Sequence, residues 1–243
     1  MSSAAGPCRK GLVALGDSIT VGEGSMALGV TPLSWAQWLA RTLDLPFQSY
    51  AANGAVAADV LREQVPRVRA HYDLAVLYAG VNDVRSPDWD ATAFEHDLDT
   101  IAASLAARAQ RLLLLTLPHD LGRPTCAPKS VQASSAVRRV AARHDAAVAD
   151  LSDFGGWTLV LPDVVHPTAL GQLDIADRAA QALGSPALPS ALVEFPSAPL
   201  HYAPAHARAL ARDLLRRVRV RERVARRIRK RVARRVRERV ARP

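Results

Sequence analysis

Of the seven histidines in the chain, His166 stands in a setting suited to chemistry. It lies in Asp163-Val164-Val165-His166-Pro167, with a carboxylate three residues before it. A turn over that spacing would aim Asp163 at the imidazole Nδ1–H, fix the tautomer and stabilise the imidazolium formed when Nε2 takes a proton. A serine hydroxyl is a poor nucleophile until such a base removes its proton. Ser18 is the candidate, because it follows Gly16-Asp17 directly after an apolar run, where the glycine permits a tight turn. Acyl chemistry at Ser18 also needs donors for an oxyanion. The backbone N–H groups of Ser18 and Gly54 and the side-chain amide of Asn82, in Gly80-Val81-Asn82-Asp83, form the candidate set. Asp17 and Asp83 abut these positions and read as loop-shaping hydrogen-bond acceptors rather than as direct participants.

These residues need a scaffold that gathers them. Residues 10–16, 47–51, 73–79, 111–117 and 146–151 are short apolar runs that read as five strands. Helical spacing of apolar residues marks 33–43, 56–70 (with a break at Pro66), 91–107, 130–143 and 168–183. Strands alternating with helices predict an α/β domain with a parallel sheet covered on both faces. In such sheets the functional loops lie beyond the carboxyl ends of the strands. Ser18, Gly54 and Asn82 all follow strand ends, and His166 stands just before the last helix.

Four blocks in this order resemble the SGNH, or GDSL, hydrolase superfamily. They are Val13-Ala14-Leu15-Gly16-Asp17-Ser18-Ile19-Thr20, Gly54 within 49–55, Gly80-Val81-Asn82-Asp83, and the Asp-x-x-His-Pro of 163–167. The resemblance covers residues of about 10–183. It implies a flavodoxin-like three-layer α/β/α fold with strand order 2-1-3-4-5. It also implies a serine esterase or acyl hydrolase cleaving esters or thioesters through an acyl-enzyme. Ser18 would be the nucleophile, His166 the base and Asp163 its orienter, with Ser18, Gly54 and Asn82 as the oxyanion hole. No metal or organic cofactor is required. A small-molecule or lipid ester and an O-acetylated carbohydrate remain alternative substrates.

Specificity is expected from the loops at 22–32, 84–89, 119–128 and 154–162. Trp89, Phe154, Trp157 and Leu161 would either line a pocket or pack the core. Arg85, His119 and Arg123 read as solvated loop residues.

The 243 residues are 49% hydrophobic and 23% charged, which excludes a chain disordered throughout. No apolar run approaches the ~18 residues needed to span a bilayer, and the first ten residues lack a signal-peptide core. Two cysteines, Cys8 and Cys126, are too few for a disulfide framework and read as ordinary thiols of a cytoplasmic protein. The net charge of +9 divides unevenly. Residues 204–243 hold 17 Arg or Lys against 3 acids, whereas the remainder carries 15 basic and 20 acidic side chains. The expected organisation is an N-terminal extension (1–9), a hydrolase domain (10–184), a proline-rich linker (185–204) and a basic tail (205–243). In the tail Val220, Val224, Ile228, Val232, Val236 and Val240 recur every fourth residue. That stripe winds by roughly 200° around an α-helix and offers no straight coiled-coil seam. A solvated extension leads the readings, ahead of a helix lying peripherally on an anionic membrane and of nonspecific nucleic-acid binding. A catalytically silent protein acting through this tail is the alternative from another class.

Overall fold

Five consecutive residues without a polar side chain, Leu12–Gly16, form β1, which is buried along its whole length. A strand of that kind needs cover on both faces, and the sheet supplies it. The computed structural model describes residues 11–24 and 30–193, together with isolated positions 204, 207, 208 and 211. The expected N-terminal extension, Cys8, the later part of the linker and the basic tail, those isolated positions apart, lie outside the described residues.

The strands are β1, β2 (Phe47–Ser49), β3 (Tyr72–Tyr78), β4 (Ala109–Leu115) and β5 (Ala147–Ala149). They form one sheet in the order β2-β1-β3-β4-β5, and every neighbouring pair is parallel. In register, Leu12 faces both Phe47 and Leu74, Gly16 faces Tyr78, and Leu77 faces Leu114. The sequence expectations differ from these strands only by a few residues at their ends. Both edge strands, β2 and β5, are three residues long.

The helices are α1 (Ser18–Val21), α2 (Trp35–Thr42), α3 (Ala57–Asp59), α4 (Val81–Arg85), α5 (Ala91–Ala106), α6 (Ala127–Arg143) and α7 (Ala169–Ala182). One layer joins α2 to α7, and the other joins α3, α5 and α6. This division follows from right-handed crossovers on either side of β1, the strand at which the chain reverses direction across the sheet. α2 starts two residues later than its apolar spacing suggests, because Ser34 and Gln37 close a capping box there. α7 is capped by Thr168, whose hydroxyl accepts from the Gly171 N–H. After α7, a 3₁₀ turn at Pro189–Leu192 packs on α2 and α7, and Asp177 accepts a bond from its Ser190 N–H.

The expected helix over 56–70 takes a different form. After α3 the chain widens into a π turn at Val60–Gln64 and then tightens into a 3₁₀ turn at Val65–Arg67, where Pro66 sits. The widened turn carries the side chain of Gln64 to the end of β1. Its Oε1 accepts from the Gly16 N–H at 2.9 Å and its Nε2 donates to the Gly16 carbonyl at 2.8 Å. Gln64 is 2% exposed, so both bonds are made out of water. Single-turn π segments recur at functional sites, and here one serves the strand that ends at the candidate nucleophile.

Replacing Gln64 by Leu keeps roughly the same volume, strips the Gly16 N–H of its side-chain partner and leaves the Gly16 carbonyl with the Ala52 N–H alone. An unsatisfied buried backbone group costs about 1–3 kcal/mol. Gln64→Leu is therefore expected to lower stability by about 2 kcal/mol, or about 4–8 °C in a thermal melt of a domain this size. A melt unchanged within 1 °C would show that the bracket carries no weight.

Candidate active site

β1 delivers the chain into a turn that remains inside the protein. Asp17 is fully buried and Ser18 is 6% exposed. Asp17 Oδ1 accepts from the Ile19 N–H at 2.9 Å, capping α1, as the loop-shaping reading expects. From the other layer, Gln172 Nε2 donates to the Ile19 carbonyl at 3.0 Å while its Oε1 accepts from the Trp35 N–H at 2.8 Å. The Trp35 indole N–H reaches Thr20 Oγ1 at 3.3 Å. The short helix that presents Ser18 is thus bonded into the layer of α2 and α7, while Gln64 from the opposite side of the sheet holds the end of β1 before it.

Asp163 and His166 occupy a loop that an isolated bridge between Val160 and Pro167 holds together. Val164 adopts a positive φ of 54°, a strained setting for a β-branched residue. That twist lets Asp163 Oδ1 accept from the N–H groups of Val165 at 3.0 Å and His166 at 3.1 Å. The other oxygen, Oδ2, lies 2.7 Å from His166 Nδ1, and His166 Nε2 lies 3.2 Å from Ser18 Oγ. Residues 148 positions apart in sequence are joined into one chain of hydrogen bonds. Burial opposes the charge on Asp163, yet the bonds from the His166 ring and the two backbone N–H groups outweigh it and hold the carboxyl below its ordinary pKa. The bond to Asp163 raises the His166 pKa above the ordinary 6.5 against the effect of burial, helped by the charges of Asp163 and Glu23.

The second and third blocks meet beside this line. Asn82 begins no long periodic element; it lies on α4, too short to be visible as a helix in the sequence. Its Nδ2 donates to the Ala55 carbonyl at 3.0 Å, which orients the amide beside the Gly54 turn. Asp83 Oδ1 accepts from the Ala57 N–H at 3.0 Å, and the Ala52 N–H reaches the Gly16 carbonyl at 3.1 Å. Gly54 itself is exposed with φ +77°, a conformation that favours glycine, and no atom of the described residues lies within 4 Å of where its Cβ would be.

One neighbour of the site went unremarked in the sequence. Glu23 Oε2 stands 3.4 Å from His166 Nε2. Its only signal was a place in the loop beyond β1. Among the residues weighed for a pocket, Trp89 packs on Phe94 with ring centroids 5.3 Å apart and donates to Gln132, and Phe154 is buried in the core. Trp157 is half exposed. Arg123 pairs with Asp120 on the surface. Among the described residues no cluster of three or more His, Cys, Asp or Glu is placed to hold a metal ion. No described helix is long and apolar enough to cross a membrane.

The model of the GDSL-like lipase/acylhydrolase family matches residues 14–173, which hold all four blocks but for Val13. The chain belongs to that family. Solved structures agree on the fold of this GDSL-like hydrolase. LAE5, an alpha/beta hydrolase enzyme from the metagenome of Lake Arreo in Spain, is 24% identical with a TM-score of 0.57, over 71% of this chain and 94% of its own. Axe2, an acetylxylan esterase from Geobacillus stearothermophilus, is 18% identical with a TM-score of 0.57, over 71% and 93%. A catalytic mutant of Axe2 gives 17% and 0.58, over 72% and 94%. No curated protein matches the chain. The GDSL-like family makes the protein a serine hydrolase acting on esters.

Two pH responses follow. A base at His166 would work only when neutral, so activity is expected to fall as pH drops through its raised pKa. The acid limb of kcat/KM is expected above pH 6.5, and Asp163→Asn should move it lower along with a fall in rate of about 10⁴. A limb at or below 6.5 in the wild type would contradict the ion pair. Asp17 responds in the opposite sense, because burial pushes its pKa up to about 7 from 3.8. The unfolded chain ionises first, so the contribution of Asp17 to stability falls as pH rises from 3.8 to about 7. Asp17→Asn keeps the acceptor for the Ile19 N–H and should flatten that fall. Parallel melts of both proteins across this range check it.

Proposed function

We propose that the protein hydrolyses carboxylic esters through an acyl-enzyme on Ser18. The observation that carries this reading is the unbroken line from Asp163 Oδ2 through His166 to Ser18 Oγ, with spacings of 2.7 Å and 3.2 Å. Asp163 holds the Nδ1–H tautomer, which leaves Nε2 free of a proton and able to accept one. His166 takes the Ser18 proton as Oγ attacks the acyl carbon. The carbonyl electrons pass to an oxyanion held by the N–H groups of Ser18 and Gly54 and by Asn82. Nδ2 of Asn82 has two hydrogens; the bond to Ala55 uses one and leaves the other for the oxyanion. Collapse breaks the bond to the alcohol oxygen, which receives the proton from His166. A water then repeats the attack and releases the acid.

Acetyl esters are the first substrates to try, since Axe2 is an acetylxylan esterase. The test is hydrolysis of chromogenic nitrophenyl esters with acyl chains of two to twelve carbons. Ser18→Ala is expected to lower kcat by up to about 10⁶. Asn82→Ala, which removes one oxyanion donor, should cost about 10²–10³. Turnover equal in wild type and Ser18→Ala would remove Ser18 from the mechanism. Rates that fall steeply beyond acetyl favour a deacetylase, whereas rates sustained to twelve carbons favour a lipid esterase.

A further inference from the structure

We propose that Glu23 forms the alcohol side of the active site and favours esters of hydroxylated, non-anionic alcohols such as sugars and other polyols. The inference rests on the acyl-enzyme reading and adds a specificity residue to it.

Glu23 is built into the site through its backbone. α1 ends at Gly22, and the N–H groups of Gly22 and Glu23 both bond the carbonyl of Ser18, at 3.1 Å and 2.9 Å. The nucleophile's own peptide therefore sets the position of Glu23. On the other side, a Cβ at Gly24 would lie 2.2 Å from the carbonyl oxygen of Pro167, so only glycine lets this turn press against the residue after His166. Between these two anchors the Glu23 backbone is held, and its side chain turns toward His166 and Asn53. Oε2 lies 3.4 Å from His166 Nε2, and Oε1 accepts a hydrogen bond from Asn53 Nδ2, the residue before Gly54.

Nε2 is the atom that must protonate the departing alcohol oxygen. A carboxylate in contact with Nε2 is therefore a neighbour of that oxygen during the reaction. The Glu23 side chain is 44% exposed, so a substrate can reach it. A carboxylate only accepts hydrogen bonds. A hydroxyl on the carbon next to the ester would donate to it, and the Asn53 amide beside it offers both a donor and an acceptor to a second hydroxyl. A plain alkyl alcohol would cover the carboxylate without a bond, and an anionic one would be repelled.

The experiment measures acid release by the full-length protein from three acetates of similar size: 2-hydroxyethyl, propyl and 2-(dimethylamino)ethyl. Wild type, Glu23→Gln and Glu23→Ala are compared by kcat/KM. Wild type should prefer the hydroxyethyl ester to the propyl ester. In Glu23→Ala that preference should fall about 10- to 100-fold, the range for one hydrogen bond to a charged group. Glu23→Gln keeps an acceptor and should fall less. Equal ratios in all three proteins would overturn the proposal and leave the acyl-enzyme reading intact. A wild-type preference for the dimethylamino ester over the hydroxyethyl ester would show that the carboxylate selects cations and would overturn the assignment to hydroxylated alcohols. Turnover of no ester dependent on Ser18 would overturn the acyl-enzyme reading and this proposal together.

Discussion

A backbone that leaves a sheet inside a protein carries polar groups that water cannot reach, and each of them must find a partner. The turn from Gly16 to Thr20 is such a backbone, and much of the site follows from how it is satisfied. Gln64 bonds both groups of Gly16, Asp17 takes the Ile19 N–H, Gln172 takes the Ile19 carbonyl, and Trp35 reaches the Thr20 hydroxyl. The Ser18 carbonyl is claimed by Gly22 and Glu23. Gln64 comes from one helical layer and Gln172 from the other, so the turn is held from both faces of the sheet. A serine held that firmly would need little reorganisation to act as the proposed nucleophile.

The same burial sorts the carboxylates by their surroundings. Asp163 loses water too, but it gains the imidazole and two backbone N–H groups, and it stays ionised to steady His166. Asp17 has one N–H for one oxygen, and its other oxygen is buried without a partner among the described residues. Its charge is correspondingly costly, and its pKa rises to about 7. Two aspartates near one serine thus differ in role because they differ in what donates to them.

Much of this was legible in the sequence where the information was local or periodic. β3 and β4 stood out as continuous apolar runs because both of their faces are covered. Ser18 and His166 stood out because they followed a strand end and preceded a long helix, and the spacing of Asp163 from His166 marked the pair. Gln64 was not legible, since its task is a contact 48 residues away made from a turn whose width no periodicity reports. α4 was too short to show a period. Glu23 was not singled out, because its meaning depends on Gly24 lying against Pro167, a contact that only the folded chain brings about.

The sheet's borders have a consequence of another kind. A long open strand at a border is a template on which a second chain can pair, and that pairing leads to aggregation. Here the long apolar strands β1, β3 and β4 occupy the middle, while β2 and β5 at the two borders are three residues each. Neither border is long enough to recruit a foreign strand in a stable register. The sequence stretches most prone to self-association are therefore shielded by their own neighbours once the domain is folded, and the exposure that matters is confined to the time before β2 and β5 dock.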